Sequence, residues 1–290
     1  MEPVLPIERA SVFFDGSASD PPLRHPECVA IDGAGDVWCG GEEGEIYRID
    51  GDGSRLALVA STGGATLGIA FDDRGALYTC DARHGAVYRL DPSARLERFA
   101  RERGAARLRL PNFPVVDLAR GCLYVSDSYA FGDTGPGVWR FDLATGEGDL
   151  WYDRPLRFAN GMALAADGDA LYLAETFARR VLRIPIGADG AAGEAEVVVD
   201  AIERLPDGLA LDADGNLYVS CYEPSRIYRL APAGRLELLL DDPDAHTLCH
   251  PTNCAFRGRE LFVANLGRRH LTRVELDVEG LPLPVEVARA

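Results

Sequence analysis

Four short phrases in this chain set an oxygen-bearing side chain directly ahead of an apolar run. They are Pro26-Glu27-Cys28-Val29, Pro111-Asn112-Phe113, Ala159-Asn160-Gly161 and Pro206-Asp207-Gly208. Two carboxylates and two amide oxygens brought to one point form a hard, all-oxygen donor set. Such a set suits one divalent cation, Ca²⁺ first, with Mg²⁺ or Mn²⁺ behind it. No His or Cys stands at these four positions. Zn²⁺, which favours tetrahedral nitrogen and sulfur sites, therefore ranks last. The competing reading is plain: polar residues are common where strands begin, and Asn or Asp after Pro makes turns. The cation reading needs a fold that brings these distant phrases together.

Such a fold is written in the rest of the chain. One strand-turn-strand pattern recurs six times. It reads CVAID, GAGDVWCGG, GEIYRID over Cys28 to Asp50 and GLALD, ADGNLYVSC, SRIYRL over Gly208 to Leu230, with four further copies. Matching residues of the third strands are Tyr47, Tyr88, Trp139, Leu182, Tyr228 and Thr272, at intervals of 41, 51, 43, 46 and 44 residues. A period near 40–50 built from short strands marks a β-propeller with about four strands per blade. Gly and Asp crowd the first hairpin of each copy, as in Asp212-Ala213-Asp214-Gly215, which is turn chemistry. The strands themselves carry Val, Ile, Leu, Tyr and Phe, as pleated surfaces prefer. The expected fold is all-β: a six-bladed propeller of four-stranded blades, one domain over residues 1–290. Ser11 to Asp15 has the phase of the missing outer strand of blade six, so the N-terminus is expected to close the ring. Val285-Glu286-Val287 is the alternative.

The innermost strand of each propeller blade runs along the central channel. Residues of equal phase then form a ring at one mouth of that channel. The six ring positions hold Glu27, Leu67, Asn112, Asn160, Asp207 and Thr252. A second equivalent set ends the second strands: Gly41, Asp81, Asp127, Glu175, Cys221 and Asn265. The loops beyond are expected to wall a pocket with Tyr129, Phe131, Phe177, Arg179, Tyr222 and His84. Aromatic walls with a few polar groups suit a small organic ligand. His25 and His250 precede the inner strands of blades one and six, which are neighbours, and are expected at the pocket rim. The substrate-contacting candidates are thus Asn112, Asp127, Tyr129, Glu175, Tyr222, His25 and His250.

Bulk composition narrows the partners. The net charge is −16, which repels phosphate backbones and argues against nucleic acid. No apolar run approaches the ~20 residues of a membrane span, and Met1 to Ala10 lacks the basic and apolar regions of a secretory signal. The seven cysteines include no CxxC pair. They read as small core residues of a reduced, cytoplasmic protein. Cys221 is the one among them placed near the mouth.

The same phrases resemble the SMP-30/gluconolactonase/LRE family. The likeness runs through Pro26-Glu27, Pro111-Asn112, Ala159-Asn160-Gly161, Leu205-Pro206-Asp207-Gly208-Leu209 and Pro251-Thr252-Asn253, and is strongest over Phe158 to Leu230. It implies a six-bladed propeller with a divalent metal in the channel. It further implies ligation by Glu27, Asn160 and Asp207, with Asn112 beside the metal or the substrate, and Asp207 as catalytic base. The chain departs from the pattern in two places. Glu27 is followed by Cys28-Val29 where Glu-Gly-Pro is usual. Leu110 stands where many lactonases carry a sugar-binding Arg, with Arg109 one step away. His25 to Asp32 and Phe158 to Arg183 also resemble strictosidine-synthase-like propellers.

Together these readings give a metal-dependent hydrolase of a lactone or related small ester, esterase-like in class. The metal would polarise the carbonyl for attack by water, with Asp207, or else Asp127, Glu175 or a rim His, taking the proton. Two rivals share the fold: a lyase, isomerase or condensing enzyme of the strictosidine-synthase-like type, and a binding propeller without turnover.

Overall fold

The computed structural model describes residues 1–203 and 205–282. Six antiparallel sheets follow one another along the chain. Their inner strands are Val29–Ile31, Thr66–Phe71, Pro111–Asp117, Ala159–Leu164, Pro206–Leu211 and Pro251–Arg257. Each inner strand packs against the next, and the sixth packs against the first, so the ring is closed. The repeat holds in register. Tyr47, Tyr88, Trp139, Leu182, Tyr228 and Thr272 each pair with the second-strand residues Cys39, Thr79, Val125, Leu173, Val219 and Val263.

The N-terminal strand Ala10–Asp15 supplies the outer strand of blade six. It pairs with His270–Glu275, with Val12 opposite Thr272 and Asp15 opposite His270. This removes an open sheet edge. The alternative closing segment, Val285 to Val287, lies outside the described residues. Blade three carries an unforeseen fifth strand: Arg101–Glu102 pairs in parallel with Glu147 and Gly148. It uses part of the extra length in the 51-residue interval between Tyr88 and Trp139.

The first hairpins show why the Asp-Gly phrases recur. Asp212 Oδ1 accepts from the amides of Asp214 and Asn216, and its Oδ2 accepts from the Tyr218 hydroxyl at 3.0 Å. Asp72 does the same with Arg74, Ala76 and Tyr78, and Asp32 with Ala34, Asp36 and the Trp38 indole. One carboxylate thus closes the turn and anchors the aromatic of the following strand. Between blades the faces are apolar. Val181, Leu209, Val219, Tyr228 and Leu238 pack as one cluster between blades four and five.

The channel has two unlike ends. At one end Ile31, Phe71, Met162 and Leu211 make an apolar mouth, and Leu281 and Pro282 lie against it. Leu281 is fixed there by its amide on the Leu211 carbonyl at 2.9 Å. The other end carries the oxygen ring. No described helix is long and apolar enough to cross a membrane.

Candidate metal centre and its cavity

Every ring residue from blades two to six sits on a β-bulge. In blade three, Pro111 pairs with Asp127 and Pro114 with Val125, so three steps on the inner strand face two on its partner. The same irregularity spans Thr66/Ile69, Ala159/Met162, Pro206/Leu209 and Pro251/Cys254. A bulge turns one side chain out of the pleat's alternation. Here the bulged residues include Asn112, Asn160 and Asp207. The glycine that follows two of these ring residues has a packing reason. A Cβ on Gly161 would stand 2.4 Å from the Asp207 carbonyl oxygen, and one on Gly208 2.6 Å from that of Thr252. Only glycine lets adjacent ring residues approach this closely.

A hydroxyl relay orients both amides. Asn112 Nδ2 donates to Ser128 Oγ at 3.0 Å, and that hydroxyl donates to the Ala159 carbonyl of the next blade. Asn160 Nδ2 donates to Thr176 Oγ1 at 3.1 Å, and Thr176 donates to the Pro206 carbonyl. With each NH₂ held by a hydroxyl, the amide oxygen is left facing away from it. Blade six closes onto blade one by Thr252 and Asn253, both donating to the Glu27 carbonyl.

The result is a set of buried oxygens without partners. Glu27 Oε2, Asn112 Oδ1, Asn160 Oδ1 and Asp207 Oδ1 are inaccessible to solvent and accept no hydrogen bond. All four residues line one cavity. Buried acceptors left unpaired are rare and costly. Here four gather at four of the six ring positions. Burial, then the charge of Asp207, pushes the Glu27 carboxyl well above its usual range. Burial raises Asp207 to about 7, with the Asn160 amide pulling it partly back. A positive charge placed between them would reverse both effects. The residues present therefore fit a hard divalent cation: two carboxylates for charge and two amide oxygens for coordination. Among the described residues no group of three His, Cys, Asp or Glu is placed to hold a metal ion; the donor set here is mixed, two carboxylates and two amides.

The cavity above the ring measures about 370 Å³. Its wall corrects part of the reading from sequence. Asp127 does not line it. Its carboxylate accepts from the amides of Arg109, Leu110 and Tyr129 and from the Trp139 indole. Glu175 does not line it either: it accepts from the Arg157 amide at 2.7 Å and pairs with Arg180. Asp81 and Asn265 do the same for Ala65 and Cys249. The second ring thus holds the loops that lead into the inner strands. Tyr129 lies outside the cavity, its ring under the Arg109 guanidinium at 4.5 Å. His250 is also outside, its Nδ1 2.9 Å from Glu223 Oε2. Cys221 is fully buried and does not reach the mouth; none of the cysteines forms a disulfide.

His25, Tyr222 and Asn112 do line the cavity. His25 Nδ1 is 2.9 Å from the Leu266 carbonyl. A carbonyl only accepts, so Nδ1 carries the proton and Nε2 keeps the lone pair. Burial and then Glu27 hold the Tyr222 phenol above its usual range. Glu42, Thr66, Ala82, Thr176 and Leu266 line it unforeseen; so do four residues that share one phase, Ala65, Phe158, Leu205 and, as a wall group, Leu110. With His25 these four stand two places ahead of the ring residue in five blades, so counting back two from the ring would have found them. A larger open trough of about 870 Å³ lies far from this chemistry, between the outer edges of blades three and four. Its arginines are engaged: Arg103 with Glu147, Arg120 with Asp117, Arg140 with the Gly190 carbonyl.

The fold and site define a six-bladed propeller with an oxygen-donor ring at one mouth of its channel. The pattern of the SMP-30/Gluconolactonase/LRE-like region matches residues 60–266, and the chain belongs to that family. A gluconolactonase from Xanthomonas campestris superposes with a TM-score of 0.76 at 21% identity, covering 92% of this chain and 89% of that one. Regucalcin from Agrobacterium tumefaciens, described as a calcium-binding protein, superposes at 0.70 with 18% identity, covering 92% and 95%. Strictosidine synthase-like 6 of Arabidopsis thaliana is 29% identical over 177 residues, 54% of this chain and 47% of that protein. The chain thus spans about half the length of that relative.

Proposed function

We propose that this protein is a divalent-cation-dependent hydrolase of a lactone or related small ester. The observation that carries the reading is the set of four unpartnered buried oxygens, Glu27, Asn112, Asn160 and Asp207, at the floor of one cavity. Ca²⁺ fits them first, with Mg²⁺, Mn²⁺ and Zn²⁺ behind. The calcium-binding neighbour supports this choice, and the gluconolactonase neighbour supports the lactone chemistry. Bound there, the cation supplies Lewis-acid polarisation of the substrate carbonyl and offsets the negative charge that develops on its oxygen.

The chain's own groups do the rest. The cavity wall holds the acyl carbon over the ring and limits water beside it. Two lining side chains can take the proton of the attacking water: the Asp207 carboxylate and His25 through Nε2. Asp207 is the assigned base. As water's oxygen bonds to the acyl carbon, the bond to the leaving oxygen breaks, and the proton is returned to that oxygen. Asp127 and Glu175 are removed from this role, because their oxygens are committed to backbone amides.

The test is a panel of lactones and esters assayed with Ca²⁺, Mg²⁺, Mn²⁺ and Zn²⁺, before and after chelation. Cation-dependent turnover is expected. No turnover of any member with any cation would refute the reading. The likeness to a strictosidine synthase-like protein favours a second reading, a propeller lyase or condensing enzyme. Turnover that survives complete removal of metal would select it.

A further inference from the structure

The residues two places ahead of the oxygen ring indicate what kind of molecule the cavity takes. Ala65, Leu110, Phe158 and Leu205 form most of that tier, with His25 at one side. Phe158 is buried and holds φ at +68°, in the left-handed region that non-glycine residues avoid. Its ring meets Phe131 at 4.8 Å and Phe177 at 4.9 Å between centroids, and both of these also line the cavity. Phe131 is 75% exposed, an aromatic ring held in water at the rim of an apolar wall. Among the described residues no Arg or Lys lines the cavity. The Arg109 guanidinium, beside Leu110 in the chain, is stacked on Tyr129 and bonded to its hydroxyl.

Beyond the ring, the wall's polar groups are few, namely Glu42, Thr66, Thr176, Tyr222 and His25, so it replaces only part of the water around a molecule that carries many hydroxyls. A polyhydroxylated ligand needs a hydrogen-bond partner for each hydroxyl it brings inside, and each one left unpaired weakens binding. Above the ring, the Thr176 hydroxyl is already used between Asn160 and Pro206. An alkyl chain or aryl ring meets the wall without that loss and releases water from Phe131, Phe158 and the leucines. The space, about 370 Å³, equals that of about a dozen waters at ~30 Å³ each.

We propose that the cavity selects a lactone or ester bearing an alkyl or aryl group and discriminates against polyhydroxylated, sugar-derived lactones. This rests on the hydrolase reading above. The experiment compares kcat/KM for two series built on one lactone ring: alkyl substituents of increasing length, and hydroxyl substituents of increasing number. A rise of about fourfold per added methylene is expected until the cavity fills, from the usual worth of a buried methylene, with a fall for each hydroxyl. Phe131→Ser, at an exposed position that the fold does not need, should flatten the alkyl series to under about twofold per methylene by the same measure. Equal or better turnover of the hydroxylated series would overturn the inference and leave the hydrolase reading standing. If neither series turns over, the hydrolase reading fails, and calorimetric binding of octanoate against gluconate decides the pocket's preference. Tighter octanoate binding with a negative heat-capacity change supports it; equal or tighter gluconate binding overturns it.

Discussion

Replacing Asp207 by Asn should change the protein's stability in opposite directions with and without a cation. In the chelated protein, Glu27 and Asp207 are two acidic groups buried at one mouth, and both are pushed upward. A carboxyl whose folded value is raised stabilises fully below its unfolded value. That contribution is lost as pH rises through the folded value. For Asp207 the window runs from its ordinary 3.8 up to about 7. The cost of ionising it at pH 7.5 is on the order of 4 kcal/mol, at 1.36 kcal/mol per unit. Asp207→Asn removes that cost and the repulsion on Glu27, and keeps the side chain's shape.

A chain of 290 residues unfolds with an entropy near ~0.6 kcal/mol/K. The variant should therefore melt up to about 7 °C above the native chain in excess chelator at pH 7.5. Water reaching the open mouth makes this a ceiling. The gain should shrink to a small remainder at pH 4, where both groups are protonated in the folded chain and only partly ionised in the unfolded one. With Ca²⁺ the order reverses. Free cation at well above a thousand times its dissociation constant stabilises the native chain by more than about 4.1 kcal/mol, which exceeds the cost of ionising Asp207, and the variant, short of one charge, gains far less. Differential scanning calorimetry at both pH values, in chelator and in Ca²⁺, reads all four cases. The acidic surface shifts native and variant curves alike, so their difference isolates the pair. A variant that melts below the native chain in chelator at pH 7.5, or that gains as much from Ca²⁺, refutes the reasoning.

Thr176→Val frees the Asn160 amide to rotate, and the loss of a hydrogen bond worth about 1 kcal/mol should weaken cation binding about fivefold by titration calorimetry. Gly161→Ala drives a methyl to 2.4 Å from the Asp207 carbonyl; overpacking of this kind costs about 1–3 kcal/mol, and cation affinity should fall with stability. Glu175→Gln breaks the pair with Arg180 and weakens the bond to the Arg157 amide; it should lower stability by about 1–3 kcal/mol, read in urea melts, and leave cation affinity of the folded fraction unchanged. Glu27→Gln should lose activity at low Ca²⁺ and recover part of it at high Ca²⁺, whereas Asp207→Asn should not recover; equal recovery would make Asp207 a ligand only and pass the base role to His25.

The blades were legible because their signals are local. Each hairpin turn carries its own Asp and Gly, each strand its own alternation, and the third-strand residues align to the residue in the structure. Glu27, Asn112, Asn160 and Asp207 were legible because a repeat turns sequence phase into spatial position. Side-chain direction was not. Asp127 and Glu175 share a phase that suggested a pocket wall. Nothing in their spacing says that their oxygens turn back to the amides of Arg109, Leu110 and Arg157. The parallel strand Arg101–Glu102 was hidden for another reason: two charged residues in a linker carry no strand pattern, and a backbone pairing across the blade makes them one.

A carboxylate's role in this fold follows from the tier it occupies rather than from its type. Three tiers repeat around the axis. At the ends of the second strands, Asp81, Asp127, Glu175 and Asn265 receive amides from the loop ahead of the inner strand, so each commits an oxygen to holding the fold. On the bulges one step inward, Asn112, Asn160 and Asp207 keep an oxygen that the fold does not satisfy. Between these two lie the side chains of His25, Ala65, Leu110, Phe158 and Leu205, facing the cavity. The outer tier fixes the loops that carry the wall, and the Ser128 and Thr176 hydroxyls that follow it aim the ring amides. On the proposed function, rigidity would come from one tier, cation affinity from another and substrate choice from the third. Changes at Leu110, Phe158 or Leu205 can then alter what is bound while the ring and its supports stay in place. That separation explains how Leu110 can stand where related lactonases carry Arg without disturbing Asn112 two residues on.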